Sequence, residues 1–358
     1  MRSARHLFRA LLVFVLVSLV LGFTRASPAW TFALSCLAIL PLAALLGEAT
    51  EHLAHHTGPS AGGLLNASFG NAAELIIAFT ALRAGETEIV KASLTGSIIG
   101  NMLMVLGFSM LLGGWKRKEL TFNRLSAESA SSTMVLAVVA LVIPAVYAQV
   151  TQHKNPGQIE SISLDISYVL ILTYAASLVF SLKTHQRLFQ PKEENQEDCA
   201  ETLAPKPWSV GRSLAALLGA SFFVAWVSEV LVHAVDAAGR SLGLGKVFMG
   251  VVVVAVVGNA AEHSTAVLVA LKNKMDLSLG IAMGSSMQIA LFVAPVLVIA
   301  GHFMGTPLGL EFSILEVVAV MLSTGAVALL IQDGKTNWFE GFQLLAIYAI
   351  LAIAFYYS

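Results

Sequence analysis

Gly70-Asn71-Ala72-Ala73-Glu74 and Gly258-Asn259-Ala260-Ala261-Glu262 are the same five residues in the same order, each set in the middle of a long apolar stretch. A carboxylate at mid-membrane depth costs roughly 2.5–3.5 kcal/mol on insertion scales, and such residues mark ion pathways. A chain that carries that cost twice, within one motif, is expected to build a cation site from two related halves.

The rest of the chain supplies the membrane. Of 358 residues, 57% are hydrophobic and 12% charged, where a soluble domain has about 25% charged. The lipid bilayer is therefore the expected partner. The net charge of −1 gives no sign of nucleic-acid binding. Cys36 lies in an apolar span and Cys199 in a polar loop, so neither a disulfide framework nor a Cys-based metal site can be built.

A hydrocarbon core of about 30 Å needs about 20 helical residues. Eleven stretches qualify: 7–23, 29–55, 62–82, 89–113, 125–147, 163–183, 212–236, 246–271, 276–302, 310–332 and 338–357. The expectation is an all-α polytopic membrane protein with about 11 transmembrane helices. The runs are too long, and lack the two-residue alternation, for barrel strands. Arg2, Arg5 and Arg9 before the first run resemble a signal peptide. The run is long and its cleavage region poor, so residues 1–28 are expected to remain as an N-terminal transmembrane helix.

With the N-terminus in the cytoplasm, 15 of the 21 Lys and Arg residues fall on the inner side, among them Lys116, Arg117, Lys118, Lys272 and Lys335. The positive-inside rule supports that orientation. Residues 184–211 carry Glu193, Glu194, Glu197, Asp198 and Glu201 among prolines and read as an acidic cytoplasmic linker, a solvated spacer between two halves.

The halves are related. At an offset of 188 residues the two pentapeptides superpose, and Gly96-Ser97 falls on Gly284-Ser285. Glu51-His52-Leu53-Ala54-His55 resembles Glu229-Val230-Leu231-Val232-His233 in the preceding helices. Each half then holds five helices, 2–6 in residues 29–183 and 7–11 in residues 212–358. Five is odd, so the second half is expected upside down relative to the first. Inverted repeats around a midplane site are the plan of many secondary transporters.

Within each motif Asn and Glu are three apart and share a helix face. Opposed across a pseudo-two-fold axis, Glu74, Glu262, Asn71 and Asn259 would present two carboxylates and two amide oxygens, a hard-oxygen set that suits Ca²⁺. Two ionised Glu with one Ca²⁺ are neutral, and so are two protonated Glu without it. The metal-free, doubly ionised state is disfavoured by repulsion and desolvation. That is the thermodynamic requirement for exchange rather than leak. An isolated intramembrane Glu can be no more than an inter-helix hydrogen bond; a symmetry-matched pair argues for a site.

A second tier is expected to line the cavity or relay protons: Glu51, Glu229, His55 and His233, with Asn101, Gln288, Ser97 and Ser285 on helices 4 and 9. Asn66 and Ser68 precede the first motif and could line its inner mouth. Glu48, His52 and His56 add a His-rich stretch that could hold zinc. No Gly-x-x-x-x-Gly-Lys-Ser/Thr loop, His-Glu-x-x-His run or Ser-His-Asp constellation is present, so neither an enzyme nor a cofactor is expected.

The paired motifs resemble those of the calcium/proton antiporters, the cation/proton exchanger (CAX) family of the cation/Ca²⁺ exchanger superfamily. The run Asp333-Gly334-Lys335-Thr336-Asn337-Trp338-Phe339-Glu340-Gly341 is similar to that family's segment before the last helix. The resemblance covers helices 2–11. It implies eleven helices, inverted repeats, alternating access, transported Ca²⁺ and H⁺, and Glu74 and Glu262 as the carriers of both. Sodium/calcium exchangers tend to place Ser, Thr or Pro beside the acidic residue, where Asn-Ala-Ala stands here; protons are therefore the expected counter-ion. Alternatives are a Na⁺- or K⁺-coupled Ca²⁺ exchanger, a Mn²⁺- or Na⁺-selective proton antiporter, and a cation channel. The expected location is a prokaryotic plasma (inner) membrane, or a vacuolar membrane in a eukaryote. Homo-oligomerisation is left open.

Overall fold

An apolar segment in lipid can satisfy its backbone only internally, so it coils. The computed structural model of this chain bears that out over its described residues, 11–22, 24, 27–57, 59–151, 156–185 and 208–358. Residues 1–10 and 186–207, with most of the acidic linker and Cys199, lie outside the described residues.

The helices run in order α1 Val13–Gly22, α2 Pro28–Thr57, α3 Pro59–Phe69, α4 Ala72–Arg83, α5 Thr87–Gly114, α6 Arg124–Val150, α7 Gly157–Thr184, α8 Val210–Leu242, α9 Lys246–Gly258, α10 Ala260–Leu271, α11 Met275–Met304, α12 Ile314–Leu330 and α13 Trp338–Tyr356. Among the described residues, seven are long and apolar enough to cross a membrane, and eight when α9 and α10 count as one bent span. The other expected spans are occupied by α1, by α3 with α4, and by the 17-residue α12.

Two features depart from uninterrupted helices. Both motif-bearing spans are broken at the motif. α9 and α10 meet at 61°, and α3 ends at Phe69 before α4 begins at Ala72. A short antiparallel ribbon, β1 Leu120–Thr121 with β2 Lys335–Thr336, also joins the α5–α6 and α12–α13 connections.

The halves interlock. α2 and α8 pack against each other, α8 also packs on α4, and α2 packs on α10. Each half's first long helix thus braces the other half's motif helix. Where backbones approach closely, glycine is required. A Cβ at Gly341 of α13 would lie 2.6 Å from the Gly107 carbonyl oxygen of α5 and would also strike the backbone of Leu111.

Gly341→Ala is expected to destabilise the protein by about 1–3 kcal/mol through overpacking. Gly325→Ala in α12, where a Cβ meets nothing within 4 Å, should be neutral or stabilising. Thermal unfolding of the two variants in detergent checks this; equal melting temperatures would rule out the close crossing.

Candidate cation site between the two halves

The helix breaks place the motif residues. Asn71 is the N-cap of α4 (φ −99°, ψ 30°) and Asn259 the N-cap of α10 (φ −92°, ψ 3°). Neither side chain bonds its own helix start, so both are free to reach across the molecule. Glu74 and Glu262 each stand in the first turn of a half-helix. A helix N-terminus favours a carboxylate there, which offsets part of the mutual repulsion of the pair.

The amide contacts are reciprocal between halves. The Ser285 hydroxyl donates to Asn71 Oδ1 at 2.9 Å, and Asn259 Nδ2 donates to the Ser97 hydroxyl at 2.8 Å. Asn71 corresponds to Asn259 and Ser97 to Ser285 at the 188-residue offset. Each half's asparagine thus meets the other half's serine, as two halves related by a two-fold axis require.

The network then departs from symmetry. Asn71 Nδ2 donates to Gln288 Oε1 at 2.6 Å, and Asn101 Nδ2 donates to the Ser285 hydroxyl at 3.0 Å. His263 Nε2 lies 3.0 Å from Asn101 Oδ1. The offset partners of Gln288, Asn101 and His263 are Gly100, Ile289 and Leu75, which cannot make these bonds. Asn259 Nδ2 also donates to the Ala255 carbonyl at 2.9 Å.

Within this cluster, and among the described residues, three oxygens are buried without a hydrogen-bond partner: Glu74 Oε2, Glu262 Oε2 and Asn259 Oδ1. Glu74 lies against the opposite motif, its Cγ 3.6 Å from where a Cβ on Gly258 would stand. Unpartnered carboxylate oxygens in a buried site are costly. A cation or a proton is what each can accept. Asn71 Oδ1 accepts from Ser285, while Asn259 Oδ1 has no hydrogen-bond partner.

Access is one-sided. Glu262 opens into a cavity of about 390 Å³ whose wall includes Asn66, Gly70, Asn123, Asp276 and Gln288. The Asp276 carboxylate accepts from the Asn123 backbone N–H at its rim. On the other side α5 closes on α9. A side chain at Gly96 would run into the Val251 backbone, and one at Gly250 would meet Ala92. At Gly284, the offset partner of Gly96, a Cβ meets nothing within 4 Å. Ion pairs reinforce the closed side: Lys91 to Glu311 at 2.7 Å, and Lys246 to Asp236 at 2.7 Å and Glu86 at 3.1 Å.

Of the expected residues, the structure brings together Glu74, Glu262, Asn71, Asn259, Asn101, Gln288, Ser97 and Ser285, and it places Asn66 in the cavity wall. Ser68 donates to the Leu64 carbonyl instead. Glu51 and His55 are exposed near the end of α2. Glu229 and His233 line a separate groove between α1 and α8 with Trp226. The reason is which face packs: α8 buries Ser228, Leu231, Val232 and Val235, and the Glu-His pair points the other way. In the His-rich stretch, His52 stacks on Trp208 and His56 Nε2 lies 2.6 Å from the Trp208 carbonyl. Among the described residues no metal-binding cluster of three His, Cys, Asp or Glu forms. Sequence reasoning passed over His263, Asp276 and Asn123. The first directly follows the second motif, a signal that was available; the other two are ordinary helix-end polar residues until the cavity is seen.

The chain matches the family described as sodium/calcium exchanger protein over residues 27–183 and 212–357. It is 45% identical to a Ca(2+)/H(+) antiporter of Aphanothece halophytica, covering 100% of this chain and 98% of that one. It is also 45% identical to the Ca(2+)/H(+) antiporter ChaA of Bacillus subtilis, with 91% of each chain covered. Among solved structures, native YfkE superposes with a TM-score of 0.84 at 39% identity, covering 98% of this chain and 99% of that one.

Ser285→Ala would strand both Asn71 Oδ1 and Asn101 Nδ2, whereas Ser97→Ala leaves Asn259 Nδ2 its Ala255 acceptor. Expected losses are about 1–3 kcal/mol for Ser285→Ala and less than half of that for Ser97→Ala. Denaturation midpoints of the purified variants decide it, and equal losses would deny the asymmetry of the network.

Proposed function

The chain belongs to the sodium/calcium exchanger protein family, and we propose that within it this protein is a secondary transporter that exchanges cytoplasmic Ca²⁺ for protons, a Ca²⁺/H⁺ antiporter. The observation that carries the reading is the trio of buried, unpartnered oxygens on Glu74, Glu262 and Asn259 at the seam between the halves. Two carboxylates neutralise one Ca²⁺ or two protons. The site moves between those two neutral loads and avoids the bare dianion. Asn259 adds an amide oxygen, while Asn71, held by Ser285 and Gln288, fixes the geometry.

The counter-ion follows from the same contacts. The nearest hydroxyls, Ser97 and Ser285, are engaged with the motif asparagines. Asn-Ala-Ala adds no others, which favours protons over sodium. A channel reading is weaker, because one side is closed by backbone contact at Gly96 and Gly250 while the other is open. Alternating access then consists of opening the α5–α9 contact and closing the corresponding gap at Gly284. The open side is the one bearing Lys116, Arg117, Lys118 and Lys272, which the positive-inside rule assigns to the cytoplasm. The cavity is therefore read as inward-facing. A prokaryotic plasma membrane is the proposed location.

The test is Ca²⁺ uptake into proteoliposomes under an imposed pH gradient, without sodium or potassium and with the potential clamped. Uphill accumulation that collapses with a protonophore is expected. Glu74→Gln and Glu262→Gln should each abolish it while the protein still inserts; normal exchange by either variant would sink the assignment. No uptake until sodium or potassium is added would move the chain to a differently coupled exchanger. Apparent Ca²⁺ affinity should also fall as pH falls, because protons and Ca²⁺ compete for the same carboxylates. Affinity that does not vary with pH would place proton coupling elsewhere.

A further inference from the structure

The α5–α6 connection carries Trp115-Lys116-Arg117-Lys118-Glu119, and the β1–β2 ribbon holds it against the start of α13. Together they form a shallow basin of about 600 Å³ lined by Trp115, Lys116, Arg117, Lys118, Asn337 and Trp338, with Glu119. Trp115 ends a membrane span and Trp338 begins one. Their rings meet edge to face at 5.9 Å, and they are 66% and 44% exposed. Exposed Trp at span ends sits at headgroup level.

The charges of the basin divide into two sets. Glu119 is paired with Lys335 at 2.9 Å, and its carboxylate holds the Lys335 ammonium above the usual lysine range; that pair is neutral by itself. Arg117 donates to the Gly113 and Leu271 carbonyls, which caps the ends of α5 and α10 and fixes the loop. Lys116 and Lys118 are exposed, and among the described residues neither has an acidic partner. The basin thus presents two free ammonium groups and one anchored guanidinium over an aromatic floor, at the depth of the lipid phosphate.

We infer that this basin binds the headgroup of an anionic phospholipid, with Lys116 and Lys118 on the phosphate and Trp115 and Trp338 beside the glycerol and upper acyl chains. The occupant is a membrane lipid rather than a soluble phosphate, because Trp115 and Trp338, at the ends of two membrane-length helices, form part of its wall, where exposed Trp meets the membrane interface. The same connection runs on to Phe122 and Asn123 in the cavity wall, so the lipid would brace the rim of the open side. The inference does not rest on the proposed transport reaction.

The test is lipid retention by the full chain in mild detergent, read by native mass spectrometry. The probes are phosphatidylglycerol and phosphatidylcholine of identical acyl chains. Each lysine near an anionic headgroup contributes about a fivefold preference. Wild-type protein should therefore retain phosphatidylglycerol well above phosphatidylcholine. Lys116→Gln with Lys118→Gln should remove most of that preference with the melting temperature unchanged, since both side chains are exposed. Lys272→Gln, outside the basin, should keep it. Equal retention of the two lipids by wild type, an unaltered preference in the double variant, or displacement of the lipid by inorganic phosphate would each overturn the proposal.

Discussion

Two carboxylates placed in one low-dielectric space are the constraint that the rest of the molecule serves. They cannot both remain ionised without a counter-charge, and they cannot be ignored by the helices that carry them. The response is a break in each carrying span. Breaking α3 from α4, and α9 from α10, sets Glu74 and Glu262 at half-helix N-termini, where the backbone field favours a carboxylate. It also turns Asn71 and Asn259 into N-caps whose side chains point across the seam rather than along their own helices.

Around that seam the molecule is two-fold in its essentials and asymmetric in its details. The asparagine–serine exchange is reciprocal, and the first half alone would leave the Asn71 amide without its partners Ser285 and Gln288. That makes the site a property of the assembled halves, and it ties the geometry of the carboxylates to the relative position of α5 and α11. The asymmetric additions, His263–Asn101 and Asn71–Gln288, extend the network, the second of them to the cavity wall at Gln288. The closed contact at Gly96 and Gly250 and the gap at Gly284 show how one architecture holds two different packings at equivalent places.

Much of this was legible in the residues. The repeated pentapeptide disclosed two carboxylates inside apolar runs, and the common offset disclosed that Ser97 and Ser285 belonged with it. Gln288 and Asn101 stood out because polar side chains are costly in apolar runs. The Glu-His pairs on α2 and α8 were legible in spacing but misleading in meaning. Repetition at i and i+4 establishes a shared face, not which way the face looks. That was decided by α2 and α8 packing through their small and apolar residues. His263 was signalled by its place directly after the second motif, whereas Asn123 and Asp276 were unremarkable because a polar residue at a helix end has ordinary reasons to be there.

The sequence by itself determined that this chain spans a membrane, that a motif repeats between its halves, and which residues place charge inside apolar runs. Those are statements about composition and periodicity, and transfer free energies act on them residue by residue. The tertiary structure decided which oxygens are left without donors, which asparagine oxygen is hydrogen-bonded and which is not, and which side of the site adjoins the cavity. Those depend on contacts between segments nearly 200 residues apart. Each is settled by helix packing that no local pattern encodes.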